Sequence, residues 1–151
     1  MHMLGDPRTM QDDPRYGDVV ADVAGFLLRR AQEAADLGVE EVWVDPGIGF
    51  GKTLEHNLAL LARLDELVAG GFPVLVGTSR KRFLGLLLAQ ADGLDAGQVV
   101  ETDDRLEGSV ASAVWAMWQG AKMVRAHDVR ATVLAASRVA DARNATQEQE
   151  R

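Results

Sequence analysis

Hydrophobic and polar positions along the chain alternate between two regimes, amphipathic stretches with a helical period and short unbroken apolar runs. Over 16–37 the apolar residues Val19, Val20, Val23, Phe26, Leu27, Ala31 and Ala34 recur with helical spacing, and Gly38 sits where such a helix stops. The run 42–44 that follows is short and apolar, as a buried strand is. Leu58, Leu61, Leu64, Leu67 and Val68 predict a second helix over 56–68, closed by Gly70-Gly71 ahead of Pro73. A second strand is expected at 74–76, ending on Gly77-Thr78-Ser79, and a short helix over 81–89. The acidic, glycine-containing stretch 92–104 reads as an exposed loop. A helix over 105–119 carries small residues at Gly108, Ser109, Ala111, Ser112 and Ala113 that permit close packing. The third strand is expected at 123–125 and the last helix from 129 to about 142. The remainder, 144–151, is polar and expected to fray, which gives one domain over 1–143 and a short tail.

Helices set between short buried strands define an α/β fold with parallel strands, because each short connection returns the chain in one direction through a helical crossover. Parallel strands end on one side of the sheet. Asp45, the segment Gly77 to Lys81, and Arg125 with His127 should therefore meet at the carboxyl edge, where ligands bind in barrels and in open α/β sheets alike.

Composition narrows the possibilities. The chain has 151 residues, enough for one core; 47% are apolar and 26% charged, as in ordinary globular proteins. A net charge of −7 without clustered Lys and Arg argues against nucleic acid as a partner. The absence of cysteine removes disulfides and thiolate metal sites and fits a cytoplasmic setting. The longest strongly apolar run, 84–89, is too short to cross a bilayer, and no export signal is visible at Met1-His2-Met3.

The richest chemistry lies in Asp45-Pro46-Gly47-Ile48-Gly49-Phe50-Gly51-Lys52-Thr53, where an acid ends a strand and three glycines follow within five residues. A Walker loop needs glycine where Pro46 stands, and the dinucleotide fingerprint needs two residues before its last glycine, so neither phosphate motif fits. A tight strand-to-helix loop without ligand remains open, but a carboxylate placed where Val, Ile or Thr suits a sheet better favours a ligand. Taken singly, Arg80 and Lys81 also fit solvated residues at a helix start, and Asp128 a helix cap. Arg125 and His127 are two apart and point the same way from an extended strand end, so a forked guanidinium and an imidazole make an anion site. Ser79 offers a hydroxyl and backbone N–H groups at a helix start, a second place for a carboxylate or phosphate.

Four motifs in order, Met1-His2-Met3 with Gly5-Asp6-Pro7-Arg8-Thr9-Met10-Gln11, then Asp45 to Lys52, Val76-Gly77-Thr78-Ser79-Arg80-Lys81, and Arg125-Ala126-His127-Asp128-Val129, span nearly the whole chain. Together they resemble dihydropteroate synthase. That resemblance implies a (β/α)₈ barrel, usually a homodimer with magnesium, which condenses 4-aminobenzoate with 6-hydroxymethyl-7,8-dihydropterin pyrophosphate in folate synthesis. By it, Asp45 accepts from the pterin edge, Lys81 donates to the pterin carbonyl and ring nitrogen, Gly77 lies beside the pterin, and Met1 packs against the ring. Arg125 stacks on the pterin and, with His127, holds the pyrophosphate, while Ser79, Arg80 and Phe50 take the aminobenzoate.

The chain departs from the family in starting where the fifth barrel strand should be ending, so only the C-terminal part of a barrel, about three complete strands, is expected, without full activity alone. The missing half is where the family keeps the magnesium ligand, the other pterin-binding acid and asparagine, and the covering loops; no metal ligand is expected in this part. It could be completed by another copy, by an N-terminal half, or by a longer reading frame. Two alternatives stand beside the synthase, a non-catalytic pterin-binding or assembly fragment and a methyltetrahydrofolate–corrinoid methyltransferase, although a methyl transfer has no pyrophosphate for Arg125 and His127 to hold.

Overall fold

The computed structural model describes residues 1–149, with side chains through Asp141. Helices dominate it: α1 (Val19–Asp36), α2 (Leu54–Ala62), α3 (Leu64–Val68), α4 (Arg82–Ala91), α5 (Leu106–Trp118) and α6 (Val129–Gln149). Between them run two short strands, β1 (Leu75–Val76) and β2 (Met123–Val124), paired in parallel with Leu75 opposite Met123. The first expected strand, 42–44, is reduced to a single parallel bridge between Val44 and Val74, so two strands are formed among the described residues where three were expected. Proline explains the shrinkage. Val44 gives its N–H to the Pro73 carbonyl and accepts from Leu75 N–H; one step earlier the donor to Val42 would be Pro73, and one step later the donor from this segment would be Pro46, and neither has an N–H. On the other side of this segment His2 N–H donates to the Asp45 carbonyl at 3.0 Å, so residues 1–3 lie along its far edge.

Each helix is placed by its sequence. Asp18 caps α1 by accepting from Val20 and Ala21 N–H, and Val19, Val20, Val23, Leu27 and Ala31 bury one face; Phe26, counted on that face from the periodicity, is partly exposed and meets the His2 ring edge-on. The helix expected over 56–68 starts earlier, at Leu54, where Thr53 and His56 form a reciprocal capping box. It also breaks at Arg63, whose guanidinium forks onto Glu66 and reaches Asp18, so Leu60, Leu61, Leu64 and Leu67 are buried while Leu58 faces outward. Small residues seat α5: Gly108 lies under Leu84, Ala113 and Ala116 are buried, and the Ser112 hydroxyl bonds Thr78 Oγ1 at 2.8 Å. The stretch 92–104 is largely exposed, with one 3₁₀ turn at Thr102–Asp104. The last helix, expected to end near residue 142, continues to Gln149, and residues 150 and 151 lie outside the described residues.

The core gathers Val44, Ile48, Val74 and Val76 from the sheet side with the inner faces of α1 to α4. Among the described residues the other flank is less completely covered. Trp115, Trp118, Met123, Val133 and Leu134 are each about half exposed on α5, β2 and α6, an apolar face of the kind expected when a parallel sheet is open.

Candidate functional site

The loop after the bridge at Val44 is held by its own backbone and by a buried lysine. Asp45 Oδ1 accepts from Gly47 N–H at 2.7 Å, closing a turn over Pro46. Gly47 has φ 65°, and a Cβ there would stand 1.8 Å from the His2 carbonyl oxygen, so only glycine lets the two segments touch. Asn57 at the start of α2 accepts from Gly49 N–H at 2.6 Å, and Gln11 donates to the Gly49 carbonyl at 2.6 Å. Lys52 is only 4% exposed, and its ammonium spends three protons on three partners: the Gly47 and Phe50 carbonyls, each at 3.0 Å, and His2 Nδ1 at 3.1 Å. An ammonium cannot accept, so His2 Nδ1 is the acceptor and the ring carries its proton on Nε2. Burial, reinforced by the Lys52 charge, pushes the His2 imidazole down to about 4. Burial likewise pushes Lys52 down to about 8, against the pull of Asp45 and with a push from Lys81.

The segment after β1 sends three consecutive side chains to three places. Ser79 Oγ accepts from His127 N–H at 3.0 Å and lies 3.0 Å from His127 Nδ1. Arg80 turns away: its guanidinium forks onto Asp128 at 3.1 and 2.9 Å and reaches Asp103 at 2.7 Å. The Arg80 hydrogen bond holds the Asp128 carboxyl below its usual range. Lys81 returns to the first loop, where its ammonium donates to the Ile48 carbonyl and sits 4.5 Å from the centroid of the Phe50 ring. Burial pushes Lys81 down to about 8; Asp45 opposes that shift and Arg125 adds to it.

Arg125, just past β2, lies over Gly77, whose added Cβ would stand 2.6 Å from Arg125 Nη2. Among the described residues no carboxylate forms an ion pair with Arg125, in contrast to Arg80. Met1 is exposed at the rim, its side chain 3.4 Å from where a Gly47 Cβ would be. Lys81 thus sits within electrostatic reach of both Asp45 and Arg125 at one edge, with Phe50 beside it, Gly77 under Arg125 and Met1 at the rim. Beside these tips opens a cleft of ≈ 830 Å³ lined by Phe50, Lys81, Asn57, Phe83 and Leu86 with the 11–14 segment; Asp45, Arg125 and His127 are outside it.

Sequence reasoning assigns no site role to His2, Lys52 and Asn57, which build the first loop, or to Arg105 and Ser109, which hold the second. Their common signal is a polar side chain that turns out to be buried, visible only once a partner far along the chain is known. Among the described residues no three His, Asp or Glu gather as a metal site, so these residues do not fit a magnesium centre. No helix among the described residues is long and apolar enough to cross a membrane.

The family model for pterin binding enzymes matches residues 1–127. The chain belongs to the pterin binding enzyme family. Among the curated relatives of this chain is a dihydropteroate synthase of Neisseria meningitidis serogroup C, 46% identical over 135 residues, 87% of this chain and 44% of that protein. Two solved dihydropteroate synthase structures from Thermus thermophilus are each 48% identical. The one in complex with 6HMPPP matches with a TM-score of 0.78 over 90% of this chain and 51% of that one. The one in complex with 4-aminobenzoate matches with a TM-score of 0.78 over 90% and 52%. The chain spans about half the length of the relatives it matches.

Proposed function

We propose that this chain carries the C-terminal part of a dihydropteroate synthase (β/α)₈ barrel. In that role it supplies one side of the site where a dihydropterin pyrophosphate and 4-aminobenzoate are joined. The observation that carries the reading is the meeting of Asp45, Lys81 and an arginine without a carboxylate partner, Arg125, at one sheet edge. A carboxylate accepts from the amino and N–H edge of a pterin, an ammonium donates to its carbonyl side, and an open guanidinium takes the charge of a leaving pyrophosphate. The bond from the pterin methylene carbon to the pyrophosphate oxygen breaks with its electron pair going to pyrophosphate. The aminobenzoate nitrogen then bonds that carbon and gives up a proton. No strong general base is needed; the residues act by placing the reactants and stabilising charge.

His127, bonded through Nδ1 to Ser79, keeps Nε2 for the pyrophosphate. The Phe50 ring under Lys81 and the adjoining cleft suit the aminobenzoate ring, with the Ser79 segment toward its carboxylate. Arg80, engaged by Asp128 and Asp103, contributes to that subsite through its neighbours. We place the chain in the cytoplasm, and the other barrel half, with its magnesium ligand, on a longer chain or on a partner, a second copy included. The half-exposed tryptophans and methionine on α5 and β2 support a role in assembly.

The test is equilibrium titration of the chain with the pterin pyrophosphate, followed by incorporation of labelled aminobenzoate with and without an added N-terminal half. We expect binding at least about tenfold weaker in Asp45→Asn and in Lys81→Ala, and product only in the presence of the complementing half. Unchanged binding in both variants would remove the assigned pterin site.

A further inference from the structure

Arg80 is the only non-glycine residue among those described with a left-handed backbone, at φ 60°. For an arginine that conformation is unfavourable and persists only where the surroundings offset its cost. Here they do. Ser109, buried in the first turn of α5, accepts the Arg80 N–H at 2.9 Å and donates to the Arg105 carbonyl at 2.6 Å. Arg105, also buried, donates from Nη1 to the Arg80 carbonyl at 2.8 Å and from Nε to the Val100 carbonyl at 2.8 Å. Both polar groups of the Arg80 peptide backbone are thus gripped from the start of α5. Gly85 leaves room for the grip, since a Cβ there would stand 2.6 Å from Arg105 Nε.

A reversal of backbone handedness at one residue redirects its neighbours. Ser79, before the reversal, points to His127 at the tip of β2, and Lys81, after it, points to Ile48 and Phe50 beyond Val44. An extended backbone at residue 80 would send Ser79 and Lys81 the same way, because side chains two apart share a face. We propose that Ser109 and Arg105 are positioning residues that lock Arg80 in the left-handed conformation, so that Ser79 engages His127 while Lys81 reaches the Asp45 loop. The acidic stretch 92–104 joins the same device, since Val100 anchors Arg105 and Asp103 anchors the Arg80 side chain.

The ligand assignments rest on the synthase reading, but the lock is tested without ligand, so failure of one is distinguishable from failure of the other. The readout is the imidazole nitrogen spectrum of the whole chain, in which Ser79→Ala marks the signal of a His127 released from its serine. Ser109→Ala should move the His127 signal at least halfway to that mark while His2 and His56 stay in place. Arg80→Gly, which adopts φ near 60° without a lock but frees Asp128 beside His127, sets its own baseline, and adding Ser109→Ala to it should leave the His127 signal near that baseline. A purely structural role for Ser109 predicts no such suppression. The inference is overturned if Ser109→Ala leaves His127 unmoved, or if Ser109→Ala moves the signal as far in the Arg80→Gly background as it does in the parent. Should Ser109→Ala fail to fold, Arg105→Met, which frees the Arg80 carbonyl, takes its place: His127 should be displaced in Arg105→Met and return to the Arg80→Gly baseline when that change is added, and an unmoved His127 in Arg105→Met, or no such return in the double variant, overturns the inference.

Discussion

Gly47 and Gly77 stand at neighbouring strand tips, and one added methyl group would meet opposite things there. At Gly47 it would strike the His2 carbonyl, part of a backbone fixed by its own hydrogen bond to Asp45. At Gly77 it would strike the far end of Arg125, a flexible side chain without an ion-pair partner among the described residues. The first tip is sealed: among the described residues every buried side-chain polar atom of the 45–52 loop has a partner, down to the three protons of Lys52. The second flank is open, with Arg125 and His127 at an exposed edge and apolar residues of α5 and α6 uncovered behind them. The sealed tip is a rigid wall against which a ligand is read, and the open one supplies the charge that a ligand brings into balance.

The largest effect should come from Gly47→Ala. Backbone overlap and a left-handed alanine together cost about 3–5 kcal/mol, enough to move a chemical-denaturation midpoint far to lower denaturant or to prevent folding. A loss below about 1 kcal/mol would mean that the first tip is looser than its hydrogen bonds indicate.

Next comes Lys52→Met, which keeps the aliphatic stem and strips the ammonium from the Gly47 and Phe50 carbonyls and from His2 Nδ1. Buried acceptors left without donors cost about 1–3 kcal/mol each when water cannot reach them, and partial hydration should leave a net loss of about 3 kcal/mol. Denaturation of Lys52→Met beside the parent chain measures it. Its neighbour His2 gives a pH signature. The native imidazole is held down to about 4 while the unfolded one titrates near 6.5, so between these values the unfolded chain binds the proton and the native one refuses it. Stability should fall as the pH drops from 6.5 to about 4 and, for this group, level off below. The expected loss is roughly 3 kcal/mol, and the His2→Asn variant should lack that part of the slope. Lys52 acts at the other end: held down to about 8, it adds stability as the pH rises from 8 toward 10.5.

The two flanks also differ in how far they could be read from the sequence. The strand tips and the meeting of Asp45, Lys81 and Arg125 were legible because hydrophobic period and strand parallelism place them with no knowledge of partners. What escaped is set by pairs far apart in the chain. Arg80 reads as a ligand-facing cation until Asp128, 48 residues on, is seen to accept its fork. Lys52 reads as part of a failed phosphate motif until His2, 50 residues earlier, is seen beneath it. The shrinkage of the first strand was in principle readable, since Pro46 and Pro73 stand in the sequence, but only once the register pairing Val44 with Val74 is known. The break at Arg63 is a tertiary matter too, because one of its partners, Asp18, belongs to the cap of another helix.

The smallest effect on stability, and the sharpest test of the contrast, is Gly77→Ala. The backbone at this residue is not left-handed, so alanine is tolerated there and restricts the unfolded chain. Arg125 can swing away from the new methyl at little cost, since it gives up no ion pair, and the net change should lie within about 0.5 kcal/mol. Displacing the guanidinium, however, removes the open cation from beside Lys81. Pyrophosphate titrated into Gly77→Ala should therefore bind at least about fivefold more weakly than to the parent chain, with Arg125→Ala weaker by a similar factor and the double variant little worse than either. Additive losses in the double variant would show that the glycine and the arginine act separately, and that the open tip owes its anion affinity to some other group.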